Sequence, residues 1–151
     1  MGGLPDKLIG VVAFKAGGDL FHQILSKNPK HFAKAAPTRV QDCQLHQGNF
    51  GTKGSVIQWK YTLDGKEQSA KEVIEEMDEE KKQISFKVIE GDVLELYKNV
   101  AITFHVETNG GVDFVTWTID YQLLNADNPH PVSLLNYFIE FTKEVDAHIF
   151  G

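Results

Sequence analysis

The sequence predicts an α+β protein in which one curved, seven-stranded antiparallel sheet wraps around a long C-terminal helix, with two short helices after the first strand. Three observations predict it. From Thr38 to Leu124 apolar and polar residues alternate, and turn-forming residues interrupt the alternation at intervals. After Pro131 the apolar period lengthens from two residues to that of a helix. Ahead of Thr38 stand one Ile- and Val-rich stretch and two short segments bracketed by helix starters and breakers.

In chain order, Lys7 to Phe14 reads as the first strand, closed by the break at Ala16-Gly17-Gly18. Asp19 is placed to cap a helix reaching about Leu25, because its carboxylate can accept from the free N–H groups of a first turn. Asn28-Pro29 repeats the signal, with a capping residue ahead of a proline whose missing N–H is harmless in the first turn, and Pro37 ends this second helix. Neither segment is long enough to hold a helix in isolation.

A meander follows. Gly48-Asn49-Phe50-Gly51, Asp64-Gly65, Asp78-Glu79-Glu80, Gly91-Asp92 and Asn109-Gly110-Gly111 separate its strands. Read by twos, Ile57, Trp59 and Tyr61 share a face, as do Ile84, Phe86 and Val88, then Val100, Ile102, Phe104 and Val106, then Val115, Trp117, Ile119 and Tyr121. The interleaved residues, among them Gln58, Lys60, Ser85, Lys87, Thr103, His105, Thr116, Thr118 and Asp120, are polar, so the other face meets water. Segment 69–77 is ambiguous. Ala70, Glu72 and Ile74 make one face, yet Val73 and Met77 are apolar on the other. We take Glu72 to point inward, with the opposite assignment left open.

Pro131 suits the first turn of a helix running to about Phe150, roughly 30 Å long at ~1.5 Å per residue. Leu134, Leu135, Phe138, Phe141, Thr142, Val145 and Ile149 fall on one stripe, while Asn136, Glu140, Lys143, Glu144 and Ala147 lie opposite. Seven strands at ~4.8 Å spacing span about 34 Å, whereas one helix covers only ~10 Å. The sheet therefore has to curl around the helix, and the space between them holds either packed side chains or a ligand. Geometry alone leaves both outcomes open.

A chain of 151 residues, 42% of them hydrophobic, fits one domain over residues 1–151 and buries a core without staples. The single cysteine, Cys43, excludes an internal disulfide framework, and the N-terminus lacks the basic and apolar regions of a secretory signal. A cytoplasmic location is the expectation. Gly2 is exposed for lipidation, but Asp6 stands where a myristoylation signal wants Ser or Thr. No apolar run reaches the ~20 residues that span a bilayer. Fifteen Lys and Arg against twenty-one Asp and Glu leave a charge of −6, and without a basic cluster this excludes nucleic acid as a partner. The run from Glu75 to Lys82 mixes both signs and reads as a solvated turn.

The six histidines, His22, His31, His46, His105, His130 and His148, show no metal-ligand spacing and no companion cysteine pair, so neither a metal nor another cofactor is expected. No Ser or Cys stands in a nucleophile elbow, and Cys43 reads as a small core residue. Gly48 to Ser55 fails the phosphate-loop template. Glu72 is the exception to this blandness, because a carboxylate on an inner face needs a partner or a raised pKa, and such groups mark functional sites.

Strand, two short helices, six-strand meander and long terminal helix, together with Gly48-Asn49-Phe50-Gly51-Thr52-Lys53-Gly54-Ser55, Lys87-Val88-Ile89-Glu90-Gly91-Asp92 and Thr116-Trp117-Thr118-Ile119-Asp120-Tyr121, resemble the Bet v 1 and pathogenesis-related class 10 superfamily. The plant major latex proteins are the branch it resembles most. The resemblance spans essentially the whole chain and implies the helix-grip fold with an internal cavity for sterols, lipids, phenolics, cytokinins or alkaloids. The loop departs from the glycine-rich pattern of Bet v 1 proper at Phe50 and Thr52-Lys53, which speaks against phosphate binding.

With the inward alternation, the resemblance implies a ligand-binding pocket walled by Trp59, Tyr61, Glu72, Ile84, Phe86, Ile102, Phe104 and Trp117 from the sheet. Leu134, Tyr137, Phe138 and Phe141 come from the long helix, and Ile24, Leu25 and Phe32 stand near an entrance beside the short helices. A small hydrophobic ligand is the expected partner, and no catalytic residue is implied. The alternative is a cavity enzyme of isomerase or condensing type, with Glu72 and Tyr61 or Tyr137 moving a proton. No lysine on the inward faces of the later strands serves Schiff-base chemistry. A hormone-sensing switch ranks third, because Leu63-Asp64-Gly65-Lys66 is too short to close over a pocket mouth.

Overall fold

The structure, a computed structural model, describes residues 3–150. The glycine considered for lipidation lies outside the described residues. In chain order the elements are β1 (Asp6–Ala13), α1 (Gly18–Lys27), a 3-10 turn (Pro29–His31) leading into α2 (Phe32–Ala35), β2 (Val40–Gln47), β3 (Val56–Leu63), β4 (Lys66–Asp78) and β5 (Gln83–Gly91). A second 3-10 turn (Asp92–Glu95), β6 (Tyr97–Asn109), β7 (Val112–Leu123) and α3 (Val132–Phe150) complete it. The strands form one antiparallel sheet in the order β1-β7-β6-β5-β4-β3-β2. Asp64 and Gly65, both at positive φ (51° and 78°), make the two-residue turn between β3 and β4. Among the described residues, no helix is long and apolar enough to cross a membrane.

The alternation sorts the faces as expected. Ile57, Ile84, Phe104, Val115 and Ile119 are at most 1% exposed, and the concave side they line is crossed by α3, where Thr142 and Val145 are fully buried. Polar bonds fix how α3 lies. The Trp117 indole N–H donates to the Thr142 hydroxyl (2.9 Å), which donates in turn to the Phe138 carbonyl (2.7 Å). Nearer the N-terminus of α3, the Tyr137 hydroxyl donates to the Arg39 carbonyl (2.8 Å), and two turns further on Glu144 pairs with the Arg39 guanidinium (2.7 Å). Towards its C-terminus, Asp146 accepts from the backbone N–H groups of Lys15 and Ala16.

The helix starts differ from expectation. Asp19 does not cap α1; it lies inside the first turn and pairs with Lys82. The N-cap is Gly17, and the Gly18 N–H is taken by the Asp113 carboxylate (2.7 Å), 95 residues away on β7. The Thr108 hydroxyl and that N–H hold the Asp113 carboxyl below the usual carboxylate range. Asp113→Ala is therefore expected to cost about 1 kcal/mol of stability in urea unfolding, the usual worth of a cap, and Asp19→Ala under about 0.5 kcal/mol. Asn28 makes no side-chain cap either, and the segment after it is a 3-10 turn with a four-residue helix.

Segment 69–77 resolves through two bulges. Ala70, Glu72 and Ile74 are 6%, 6% and 3% exposed, so Glu72 faces inward. The pairing of β4 with β5 then skips Glu75: Ile74 opposes Phe86, Glu76 opposes Ser85 and Met77 opposes Ile84. One extra residue reverses the alternation, which returns Met77 to the core side, while Val73, ahead of the bulge, stays on the outer face opposite Lys87. A matching skip at Ile89 of β5, between the pairs Lys71–Glu90 and Glu72–Val88, leaves Ile89 41% exposed.

Candidate functional site

Between the concave sheet, α3 and the corner of α1 and α2 lies a cavity of about 80 Å³, inside a looser hollow of about 680 Å³ between protein atoms that is partly open to solvent. Trp59, Tyr61, Glu72, Phe86, Ile102 and Trp117 line it from the sheet, and Leu134, Tyr137, Phe138 and Phe141 from α3. Leu25 and Phe32 close the corner. All of these were expected at a pocket from the sequence.

Three expected residues are not part of the lining. Ile84 and Phe104, opposed on β5 and β6, are fully buried, and Phe21 of α1 covers Phe104. The Phe21 ring stacks on Phe104 (5.0 Å) and meets Phe14 (5.1 Å) and Phe32 (5.2 Å), so aromatic rings fill the space between α1 and this part of the sheet. Ile24 is buried in the core, and Leu25, one turn beyond Phe21, reaches the cavity in its place. Conversely, Val40, Ala70, Val88 and Val93 line the cavity without having been singled out. Ala70 and Val88 stand on faces already read as inward, so the alternation carried their signal. Val40 at the start of β2 and Val93 in the 3-10 turn carry no periodic one.

Polar groups on the wall are few and mostly engaged. Tyr61 donates its hydroxyl to Gln68 (3.0 Å), Tyr137 to the Arg39 carbonyl and Trp117 its indole N–H to Thr142. Trp59 hydrogen-bonds to Glu72. Burial pushes the Glu72 carboxyl up to about 7, against the opposing pull of the Trp59 bond. Burial also raises the phenols of Tyr61 and Tyr137, with the Glu72 charge adding to it, and keeps them protonated. Cys43, fully buried on β2, has its thiol pushed up to about 12 by burial and then by Glu72, which leaves it a poor nucleophile. Among the described residues, no lysine or arginine lines the cavity. Near neutral pH, Glu72 is thus the wall group that changes protonation.

The model of the pathogenesis-related protein Bet v 1 family matches residues 4–151. The chain belongs to the Bet v 1 family. Its relatives place it in the major latex protein branch. It is 41% identical to MLP-like protein 34 of Arabidopsis thaliana over 91% of this chain and 38% identical to MLP-like protein 43 of the same plant over 97% of it. It spans 94% of the latter but only 44% of the length of MLP-like protein 34. The crystal structure of major latex-like protein 151 from Panax ginseng superposes with a TM-score of 0.94 at 40% identity, covering 99% of this chain and 100% of that one. In this Bet v 1 protein, Gly48 to Ser55 joins β2 to β3 and packs Phe50 against the core. Gly51, at φ 79°, sits so close to α1 that a Cβ would lie 2.6 Å from the Ser26 carbonyl oxygen.

Proposed function

We propose that this Bet v 1 protein binds and carries a small hydrophobic molecule in its cavity. The observation that carries this reading is the wall itself: an aromatic and aliphatic lining in which the polar groups are nearly all satisfied internally, with space left between sheet and helix. Such a surface gains from an apolar occupant at roughly 25 cal/mol per Å² removed from water and, apart from Glu72, has no polar side chain free to hold a polar one. The test is titration with the neutral dye Nile red and its displacement by sterols and other uncharged apolar compounds. Saturable, one-to-one, displaceable binding is the expected result. A protein that takes up neither dye nor apolar competitor refutes the reading.

One observation favours a second reading, that of a cavity enzyme of isomerase or condensing type. A carboxyl pushed up to about 7 is suited to general acid and base catalysis at neutral pH. Tyr61 and Tyr137, its nearest candidate partners, are engaged and held protonated, which favours carriage. Turnover of a phenolic or amine substrate that Glu72→Gln abolishes, with ligand binding intact, is what the enzyme reading requires.

A further inference from the structure

We propose that Glu72 makes the cavity selective for apolar ligands bearing a protonated amine and discriminating against those bearing a carboxylate. The proposal rests on the carrier reading and specifies the head group of its ligand.

The argument is one of donors and acceptors. The side-chain donors on the wall are engaged: Tyr61 to Gln68 (3.0 Å), Tyr137 to a backbone carbonyl (2.8 Å), Trp117 to Thr142 (2.9 Å) and Trp59 to Glu72 itself. A carboxylate has about four lone-pair sites, and the Trp59 bond uses one. The unused hydrogen-bonding capacity of the wall is therefore chiefly acceptor capacity, concentrated on one side chain that is 6% exposed. A ligand has to bring the donor.

Charge narrows the choice. No lysine or arginine among the described residues lines the cavity to neutralise Glu72, so an ammonium group on the ligand is the counter-ion the site lacks. The rings of Trp59, Tyr61 and Tyr137 stand around the same part of the wall, with Tyr61 and Tyr137 5.7 Å apart, and aromatic faces attract a cation. A carboxylate head would instead meet a like charge in a medium of low dielectric. A purely structural role does not account for the residue, since an unpaired buried carboxyl weakens a fold.

Three compounds sharing one apolar body separate the outcomes: 2-(2-naphthyl)ethylamine, 2-(2-naphthyl)ethanol and 2-naphthaleneacetate, each displacing Nile red at pH 8, where Glu72 is mostly ionised. The amine is expected to bind about tenfold or more tighter than the carboxylate, with the alcohol between them. In Glu72→Gln, shown to be folded by circular dichroism, the three are expected to fall within about threefold of one another. A carboxylate that binds as well as the amine, an order unchanged in Glu72→Gln, or dye binding that none of the three displaces overturns the proposal. Failure of Nile red itself to bind overturns the carrier reading, and this proposal with it.

Discussion

Replacing Glu72 by glutamine is expected to stabilise the protein by about 3 kcal/mol at pH 8 relative to the effect of the same change at pH 4. The carboxyl rises from an ordinary value of 4.5 to about 7 on folding. Between those values the folded state keeps a proton that the unfolded chain has released, so stability falls as pH rises through the window and the full penalty is present above pH 7. Glutamine has nearly the same shape and does not titrate. The measurement is the urea midpoint of both proteins at the two pH values, since their difference cancels the other ionising groups. A change in the difference smaller than about 1 kcal/mol means that Glu72 is not held as an uncompensated buried acid.

The second large effect is expected at Phe21. It is fully buried and touches Phe14, Phe32, Phe104, Trp117 and Phe141 through its ring. Phe21→Ala is expected to cost about 3 to 5 kcal/mol, because the removed ring leaves a void that the sheet cannot collapse into. The void borders Phe32, Trp117 and Phe141 of the cavity wall and uncovers Phe104, so bulkier competitors are expected to displace Nile red more effectively from the variant than from the parent. Thermal or urea unfolding and the displacement series check the two halves separately. A loss below about 1 kcal/mol removes Phe21 as the plug between core and cavity.

These two residues also mark how far the sequence could be read. Glu72 was legible because Ala70-Glu72-Ile74 alternates in phase with flanking strands, and a carboxylate on such a face stands out locally. Met77 was not, because an apolar residue in the opposite frame could equally mean that the whole segment is turned over, and only the pairing of β4 with β5 shows the bulge at Glu75. Phe21 was passed over for a similar reason. Nothing within α1 tells whether its aromatic side chain packs on this part of the sheet or lines a hollow, and that choice excluded Phe104 from the wall. The capping of Gly18 by Asp113 is the extreme case, since a nearby carboxylate, Asp19, offered the local rule an answer while the bond went to a strand 95 residues away. Short-range patterns thus located strands, turns and most of the wall. They did not locate what depends on which distant element arrives.

The extra residue on β4 divides that strand into two reading frames. Upstream of Glu75 the frame sets Glu72 towards the cavity; downstream it sets Met77 inward beside Ile84. Excision of Glu75 would restore regular pairing there with every remaining side chain on its present side, whereas excision of a residue between the β3–β4 turn and Glu72, with the turn holding register on β3, would put Val73 in its place. The hairpin tip formed by β4 and β5 can therefore vary in length and composition while the acid stays in register, so the chemistry of the wall and the shape of the far hairpin are free to evolve apart.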